Sequence, residues 1–412
     1  MGSEVYHCEY NGVKYEYNGF HGMTLKLTQD IKHIKVLGSV EDIYGHKFDI
    51  EIISPETFMK SNIESVSIEE NIREIGWKAF KECNHLTFVK CPSSLDTIKD
   101  YAFYGCTNLK NIEFNNSLSY IGNLAFYGCK NLNKVILSEN IKEINRSTFE
   151  ECSNLNDIIF NTSLEKLEKD AFAYCQSLKK IEFPKSLKSI ESNCFRSNIS
   201  LYEISFNEGL SEIDEYAFED CTSLVKIEIP QSVKRIGYKA FSGCIGLEEI
   251  VIHSPNIELA PECFADCTSL KIIKKNNSLV LKEECFIGCT NLDDKTYSEL
   301  EKTEAANKIK EERANEELEK KERKKENIKF SIKLGLALIA CIPLLIIGYV
   351  IFAFAASYIM GAMSICGAIV LGVIILSSLF KCNISDESLK TIEKIGFIIG
   401  LLICACLILN RC

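Results

Sequence analysis

Phenylalanine returns along this chain at a fixed interval of 23 residues. The residues that keep the interval are Phe80, Phe103, Phe126, Phe149, Phe172, Phe195, Phe218, Phe241 and Phe264. Phe58 and Phe286 stand one residue short of it at the two ends. Such a period is typical of a repeat protein, in which one unit cannot bury its own apolar face and must stack on its neighbours. We therefore expect a solenoid that acts through its surface rather than through an enclosed active site.

Each repeat contains two apolar sections. In one copy the first section ends with Ile112 and Phe114, which are two residues apart, as expected for a short strand with one buried face. The second section contains Phe126 and Cys129, and its three-residue spacing indicates a helical or 3₁₀ turn. One coil should thus have a strand edge and a turned edge. About ten coils at a strand spacing of about 4.8 Å would form a rod on the order of 50 Å long.

The repeat, written L-x-x-I-x-F-x-x-S-L-x-x-I-x-x-x-A-F-x-x-C, resembles that of the BspA-like leucine-rich repeat family over about residues 63–292. The resemblance implies an α/β leucine-rich repeat solenoid with short parallel strands plus helical or 3₁₀ turns. Asn198 departs from the pattern by standing where other repeats have Cys. Cys194, Cys263 and Cys285 stand where Ala usually precedes Phe.

Composition divides the chain further. Residues 1–57 carry a hairpin pattern and are expected to form a β-rich amino-terminal cap, with a separate binding module as the alternative. Residues 58–292 form the solenoid itself. Residues 293–329 are dense in Glu, Lys and Arg and are expected to form one charged helical stalk, with a coiled-coil dimer as the alternative.

The carboxyl-terminal part is apolar. Residues 330–380 contain a single charge, Lys333, and are too long for one membrane crossing, so they are predicted to form a transmembrane helical hairpin. A polar loop follows at 381–394. Residues 395–412 hold the third membrane segment and the carboxyl terminus, and the apolar stretch 395–409 can cross the bilayer or re-enter it. We expect a crossing, and hence a multi-pass membrane protein with the lipid bilayer as a partner.

Three features predict that the repeats face the cytosol. Residues 320–333 are rich in Lys and Arg, which mark the cytoplasmic flank of a membrane helix. The first residues lack the apolar run of a signal peptide. Nine cysteines share one column of the repeat, as expected for buried reduced thiols rather than disulfides. These cysteines are Cys83, Cys106, Cys129, Cys152, Cys175, Cys221, Cys244, Cys267 and Cys289.

Two features favour the cell surface instead. The resemblance implies adhesion, because members of the family are known as surface proteins. The chain also contains Asn-x-Ser sequons, the acceptor pattern for N-glycosylation. Their asparagines are Asn115, Asn145, Asn161, Asn198, Asn276 and Asn383.

No residue pattern predicts catalysis. The sequence lacks a glycine-rich phosphate loop, a supported Ser-His-Asp set and a metal-ligand motif, so we expect no enzyme, no cofactor and no metal. A net charge of −10 also argues against a nucleic-acid partner.

The outward positions of the strand edge remain as candidates for binding a protein ligand. Exposed apolar residues mark contacts when they are contiguous, and the repeat makes Ile136 a neighbour of Ile159 and Tyr202 a neighbour of Val225. The candidate residues are Phe88, Ile136, Ile159, Tyr202, Val225 and Val251. The alternative is a solvated face with incidental apolar residues.

Three functions follow as hypotheses. The first is a membrane-anchored, non-enzymatic scaffold that binds proteins in the cytosol. The second is an adhesin with the same fold outside the cell. The third is a membrane-shaping or channel-like protein that the solenoid regulates.

Overall fold

The structure, a computed structural model, describes residues 6–10, 13–17, 23–27, 31–41, 45–275 and 279–356. The chain divides into two compact units, Met1–Asn315 and Glu316–Cys412. The first unit contains the solenoid and both of its caps. The candidate surface described below lies in this first unit.

Successive coils contribute strands to a first ladder of parallel strands. These strands are β4 (His33–Val36), β8 (Ser65–Ile68), β10 (Phe88–Lys90), β12 (Asn111–Glu113), β14 (Lys134–Ile136), β16 (Asp157–Ile159), β18 (Lys180–Glu182), β20 (Glu203–Ser205), β22 (Lys226–Ile229), β24 (Glu249–Ile252) and β26 (Ile272–Lys275). Hydrogen-bonded pairing groups them as β4-β8-β10-β12, β14-β16, β18-β20 and β22-β24-β26. Residues alternate outward and inward, as in β10, where Val89 is buried between exposed Phe88 and Lys90. The predicted strand edge is therefore confirmed.

A second ladder of two-residue strands runs beside the first. Its strands are β7 (Ile52–Ile53), β9 (Glu74–Ile75), β11 (Thr97–Ile98), β13 (Tyr120–Ile121), β15 (Glu143–Ile144), β17 (Lys166–Leu167), β19 (Ser189–Ile190), β21 (Glu212–Ile213), β23 (Arg235–Ile236) and β25 (Glu258–Leu259). They pair in two groups, in the orders β7-β9-β11-β13 and β15-β17-β19-β21-β23-β25. The sequence predicted only one strand edge, because a strand of two residues is too short to show alternation.

The turned edge differs from the predicted helical or 3₁₀ turn. Phe103 N donates to Ala125 O of the next coil at 2.7 Å, whereas Ala102 N donates to Lys99 O within its own turn at 3.2 Å. Successive N–H groups thus point alternately to the next coil and into their own turn, and this requires residues with left-handed backbone. Tyr101 is one of them, with a φ of 59°. Every second N–H thus joins adjacent coils instead of closing a helical turn. A 3₁₀ helix forms at Glu283–Phe286, in the last coil.

Stacked phenylalanine rings fill the centre of the solenoid. They run without a break from Phe58 to Phe286, with ring centroids 5.0–5.5 Å apart. Stacked aromatic pairs contribute about 0.5–1.5 kcal/mol each beyond the burial of their area. The 23-residue period of the sequence is therefore the period of this stack.

Antiparallel strands cover the amino-terminal end. The strands β1 (Tyr6–Tyr10), β2 (Val13–Tyr17) and β3 (Met23–Leu27) form one sheet, and β5 (Ser39–Glu41) pairs with β6 (Lys47–Asp49) as an insertion in the first coil. Val13 and Tyr15 are fully buried in the core, and Leu37 N donates to the Tyr15 hydroxyl at 3.1 Å. The first ladder begins at β4, so the coils start before residue 58, the predicted start of the solenoid.

The carboxyl-terminal end is covered by the start of the charged segment. Helix α1 spans Asp294–Ser298, and the chain then returns so that Glu301 N donates to Leu281 O and Glu283 N donates to Glu301 O, each at 2.8 Å. Helix α2 spans Glu304–Ala356. The single helix expected over 293–329 is thus interrupted between α1 and α2, where Glu301 pairs with the last coil.

Within the described ranges, no helix combines the length and the apolar character needed to cross a membrane. The predicted hairpin at 330–380 therefore gains no support from the part of it that is described. Residues 357–380, the polar loop at 381–394 and the third segment at 395–412 lie outside the described residues.

Candidate protein-binding surface

The strand face, defined as the outward side of the first ladder, carries ion pairs between neighbouring strands. Lys134 Nζ lies 2.8 Å from an Asp157 oxygen, and Lys271 Nζ lies 3.1 Å from a Glu248 oxygen. Exposed pairs of this kind contribute only about 0–1 kcal/mol to stability. These pairs also place opposite charges in adjacent coils, so the strand face carries no stripe of charge of a single sign.

Two isoleucines interrupt this charged surface. Ile136 of β14 and Ile159 of β16 lie directly opposite each other in the ladder, with 52% and 45% of their surface exposed. The equivalent positions in the flanking coils hold Glu113 and Glu182. The structure therefore places Ile136 and Ile159, named here the isoleucine pair, side by side as the sequence predicted. Their role in binding stays a prediction.

Tyr202 and Val225 occupy equivalent positions just before β20 and β22, and both are exposed. Lys180 Nζ lies 5.4 Å from the centroid of the Tyr202 ring, close enough for a cation–π contact. The remaining two candidates stand apart: Val251 is half-buried opposite Glu228, and Phe88 lies between Ser65 and Asn111. The six residues therefore form several separate apolar sites along the strand face and not one patch.

Aromatic residues cluster on the turned edge, which was not among the binding surfaces predicted from the sequence. Trp77 is exposed, and Lys78 Nζ lies 3.6 Å from its ring centroid. In the neighbouring coils the rings of Tyr104 and Tyr127 stack with centroids 4.8 Å apart. Trp and Tyr are enriched at protein interfaces, which makes this cluster a second candidate surface. The signal was available in the sequence, because Tyr104 and Tyr127 are separated by the 23-residue period.

One member of the aromatic cluster is tied to a carboxylate. The Tyr127 hydroxyl donates to Glu151 Oε1 at 2.6 Å. This hydrogen bond, followed by burial, raises the pKa of Tyr127 well above its usual range. The phenol is therefore neutral at physiological pH, and the cluster presents an uncharged hydrogen-bonding group beside apolar rings.

The cysteine column lies inside the solenoid, beside the phenylalanine stack. Each thiol of the column donates to the carbonyl of a phenylalanine in the preceding coil, as Cys106 Sγ does to Phe80 O at 3.0 Å. The cysteines that the structure describes are free. Burial raises the pKa of Cys129 and Cys175 well above the usual range, so these thiols are poor nucleophiles. The column is structural.

A shallow groove of about 510 Å³ lies near the amino-terminal end, where its lining includes Lys35, Ser67, Glu69, Lys90 and Cys91. Neighbouring coils carry larger residues, such as Phe114, at the position of Cys91, and the small side chain leaves the space. Burial raises the pKa of Cys91 to about 12. Across the described segments, no three His, Cys, Asp or Glu residues are grouped as a metal site.

Comparisons with known proteins agree with this geometry. The family model described as BspA type leucine-rich repeat region matches residues 51–179 and 165–293, in six copies. Together these ranges cover more than half of the chain. The comparison with curated proteins found no match.

Solved structures of leucine-rich proteins are also similar to this chain. A leucine-rich repeat protein from Bacteroides ovatus is 25% identical with a TM-score of 0.57, over 71% of this chain and 80% of that one. A leucine-rich cell surface protein from Faecalibacterium prausnitzii is 19% identical with a TM-score of 0.39, over 71% of this chain and 97% of that one.

Proposed function

The chain belongs to the BspA-type leucine-rich repeat family, and we propose that it is a non-enzymatic scaffold that binds a protein partner on the strand face of its solenoid. The observation that carries the proposal is the isoleucine pair. Ile136 and Ile159 lie in register on adjacent strands and are about half exposed, beside the ion pair that Lys134 and Asp157 form across the same two strands. Contiguous exposed apolar side chains are characteristic of contact sites.

The surroundings of the pair indicate the chemistry of the partner. Adjacent strands lie about 4.8 Å apart, so the two side chains together offer a site for one large apolar side chain. Lys134 and Asp157, on the same two strands, supply a polar rim with both signs of charge. Such a centre and rim fit a protein segment with a single aliphatic or aromatic anchor flanked by polar residues.

A photocrosslinking experiment tests this surface. Benzoylphenylalanine replaces Ile159 in the full chain, and Ile245, which is 49% exposed on the loop after Cys244, serves as the control position. We expect a specific crosslinked protein from Ile159 and not from Ile245. The affinity of that protein should then fall by about ten-fold or more in the Ile136→Ser/Ile159→Ser variant, as for a hot spot of binding.

Other outcomes would change the assignment. Equal crosslinking from both positions, or unchanged affinity of the double variant, would contradict the isoleucine pair as the binding site. Crosslinking of the same partner from Trp77 would move the interface to the aromatic cluster of the turned edge. That result would keep the scaffold function but replace its surface.

The placement of the repeats in the cytosol belongs to the same proposal, and two of the sequon asparagines support it. Asn198 is fully buried, and its Nδ2 donates to Phe172 O at 3.0 Å and to Phe195 O at 2.8 Å. Asn161 is also buried, and its Nδ2 donates to Ile141 O at 2.8 Å and to Ser138 O. A glycan on Nδ2 would remove one of these hydrogens and would find no space. The fold therefore favours a compartment without N-glycosylation.

Attachment to a membrane through 330–380 and 395–409 rests on the apolar sequence alone. Carbonate extraction of cell membranes should leave the full chain in the pellet, and external protease should spare the repeats in intact cells. Digestion in intact cells would favour the adhesin hypothesis. Oligomerisation or membrane deformation that depends on 330–412 would favour the membrane-shaping hypothesis.

A further inference from the structure

The charge of helix α2 changes sign along its length. Residues 304–319 hold six acidic and three basic residues. Residues 320–333, named here the basic segment, hold seven basic and two acidic residues, a net charge of +5. A concentration of like charge within about four helical turns is destabilising unless an opposite charge lies near it. We therefore expect the basic segment to bind an anionic partner.

Several of these cations have no counter-ion among the residues that the structure describes. Lys320 Nζ lies 4.0 Å from Glu316 Oε2, and Arg323 Nη2 lies 3.3 Å from Glu319 Oε2. Lys324, Lys325 and Lys329 are exposed, and they make no ion pair with any residue that the structure describes. These three lysines are therefore available to an external anion.

Exposed apolar residues accompany the cations. Ile328, Phe330 and Ile332 are 60%, 37% and 58% exposed, and Lys329 lies between the first two. A nucleic acid would use the cations but leave these side chains in water. A phospholipid offers both an anionic headgroup and an apolar region beneath it, so it satisfies the cations and the apolar residues together.

The distribution of charge around the helix distinguishes a lipid layer from a protein groove. At 100° per residue, the basic positions from Lys320 to Lys333 are spread around the whole circumference of the helix. A docked protein contacts one face of a helix. A layer of headgroups surrounds a helix that enters it, and it can neutralise cations on every side.

We propose that the basic segment binds anionic phospholipid headgroups, with Lys324, Lys325 and Lys329 as the principal contacts. This proposal rests on the membrane attachment in the proposed function and adds a lipid class to it. The apolar residues that follow these lysines would enter the upper acyl region. Headgroup charge, and not lipid in general, would then determine how firmly the segment is held.

Native mass spectrometry of the full chain in detergent tests the proposal. The sample contains equal amounts of phosphatidylglycerol and phosphatidylcholine, and the lipids retained on the intact chain are counted by class. We expect about five-fold more phosphatidylglycerol than phosphatidylcholine. The preference should disappear in the Lys324→Gln/Lys325→Gln/Lys329→Gln variant, and it should weaken at about 0.5 M salt because screening is stronger there.

A matched variant removes the same charge elsewhere. Lys110, Lys130 and Lys179 are exposed on the solenoid, and their triple substitution by Gln should leave the preference unchanged. Equal loss of preference in both triple variants would contradict the assignment to the basic segment. Displacement of the lipid by millimolar inorganic phosphate or by a polyglutamate peptide would indicate a site for a bare anion or an acidic protein, and it would overturn the lipid proposal.

The experiment separates this proposal from the membrane attachment beneath it. Equal retention of both lipids by the unaltered chain would leave the attachment standing and contradict the headgroup preference. Retention of neither lipid, together with release of the chain by carbonate, would remove the attachment itself and the lipid proposal with it.

Discussion

The thiol of Cys129 donates a hydrogen bond to the backbone carbonyl of Phe103, one coil earlier, at 3.2 Å. The same bond recurs along the cysteine column, so each thiol connects two neighbouring coils. In one coil Asn198 takes the place of Cys, and its Nδ2 donates to Phe172 O at 3.0 Å. The amide replaces the thiol as a donor, but it also carries an oxygen into the core.

Asn198→Cys should stabilise the solenoid. The Oδ1 of Asn198 is buried without a hydrogen-bond partner in the structure, and an unsatisfied buried acceptor costs about 1–3 kcal/mol. A thiol at this position would keep the bond to Phe172 O and remove the orphaned oxygen, although the second amide bond, to Phe195 O, would be lost. We expect a net gain of about 1 kcal/mol in the free energy of unfolding. Urea unfolding followed by circular dichroism measures it.

The reverse substitution provides the control. Cys175 occupies the same column one coil earlier and is fully buried, so Cys175→Asn should lower the unfolding midpoint. If both substitutions shifted the midpoint in the same direction, the orphaned oxygen would not explain the difference between the two coils.

Periodicity made part of this structure predictable. A period of 23 residues fixes which residues become neighbours in adjacent coils. The stacking of Phe103 on Phe126 and the pairing of Ile136 with Ile159 follow from it directly. The period also identified the cysteine column, because a residue that returns at the same position in coil after coil must share the environment of its equivalents.

Features that depend on backbone conformation were not predictable in the same way. The left-handed φ of 59° at Tyr101 leaves no mark on the apolar pattern, because many residue types occupy this position in different coils. The second ladder was missed because its strands, such as Thr97–Ile98, are too short for alternation to appear. The exposed position of Trp77 follows from that same unpredicted turn.

Gly128→Ala should destabilise the solenoid through backbone strain alone. Gly128 has a φ of +68°, and a Cβ there would meet only the Cα of Gly105, at 3.9 Å. Space is therefore available, and the cost is that of a left-handed alanine, about 1 kcal/mol. Thermal unfolding of the full chain should show a lower midpoint.

Ser197→Gly tests the cost of left-handed backbone in the opposite direction. Ser197 occupies the equivalent position three coils later with a φ of 57°. Glycine should relieve the strain there, partly offset by the larger backbone entropy that it loses on folding. A higher midpoint for Gly128→Ala than for Ser197→Gly would contradict left-handed backbone at these sites.

Arg313→Gln should loosen the carboxyl-terminal cap. Arg313 donates to both Asp266 oxygens at 3.0 and 3.1 Å, and it also pairs with Glu262, whose side chain is almost fully buried. Removing the guanidinium leaves the negative charge of the buried Glu262 carboxylate less well neutralised. This should lower the local stability by about 2–3 kcal/mol. Hydrogen exchange should accelerate in the last two coils and remain unchanged near Phe126. Lys308→Gln removes an exposed ion pair with Glu312 on the same helix and should change neither region.

Glu150→Gln should raise stability at neutral pH but not in acid. Burial raises the pKa of the half-buried Glu150 carboxyl above its ordinary value of 4.5. The native state therefore holds this proton more tightly than the unfolded state, so stability falls as pH rises from the unfolded pKa through the folded one. The variant carries no such penalty, and its unfolding midpoint should exceed that of the unaltered chain at pH about 7 and converge with it near pH 4.

Glu165→Gln is the control with the opposite sign. The hydrogen bond from Lys188 lowers the pKa of Glu165, so its contribution is present above the unfolded pKa and is lost as pH falls through the folded one. This variant should be slightly less stable at neutral pH, and the difference should vanish in acid. If the two variants responded to pH in the same direction, burial would not be the cause of the shift at Glu150. The comparison needs only unfolding curves at two pH values for three proteins, and it distinguishes a desolvated carboxyl from a paired one on the same solenoid.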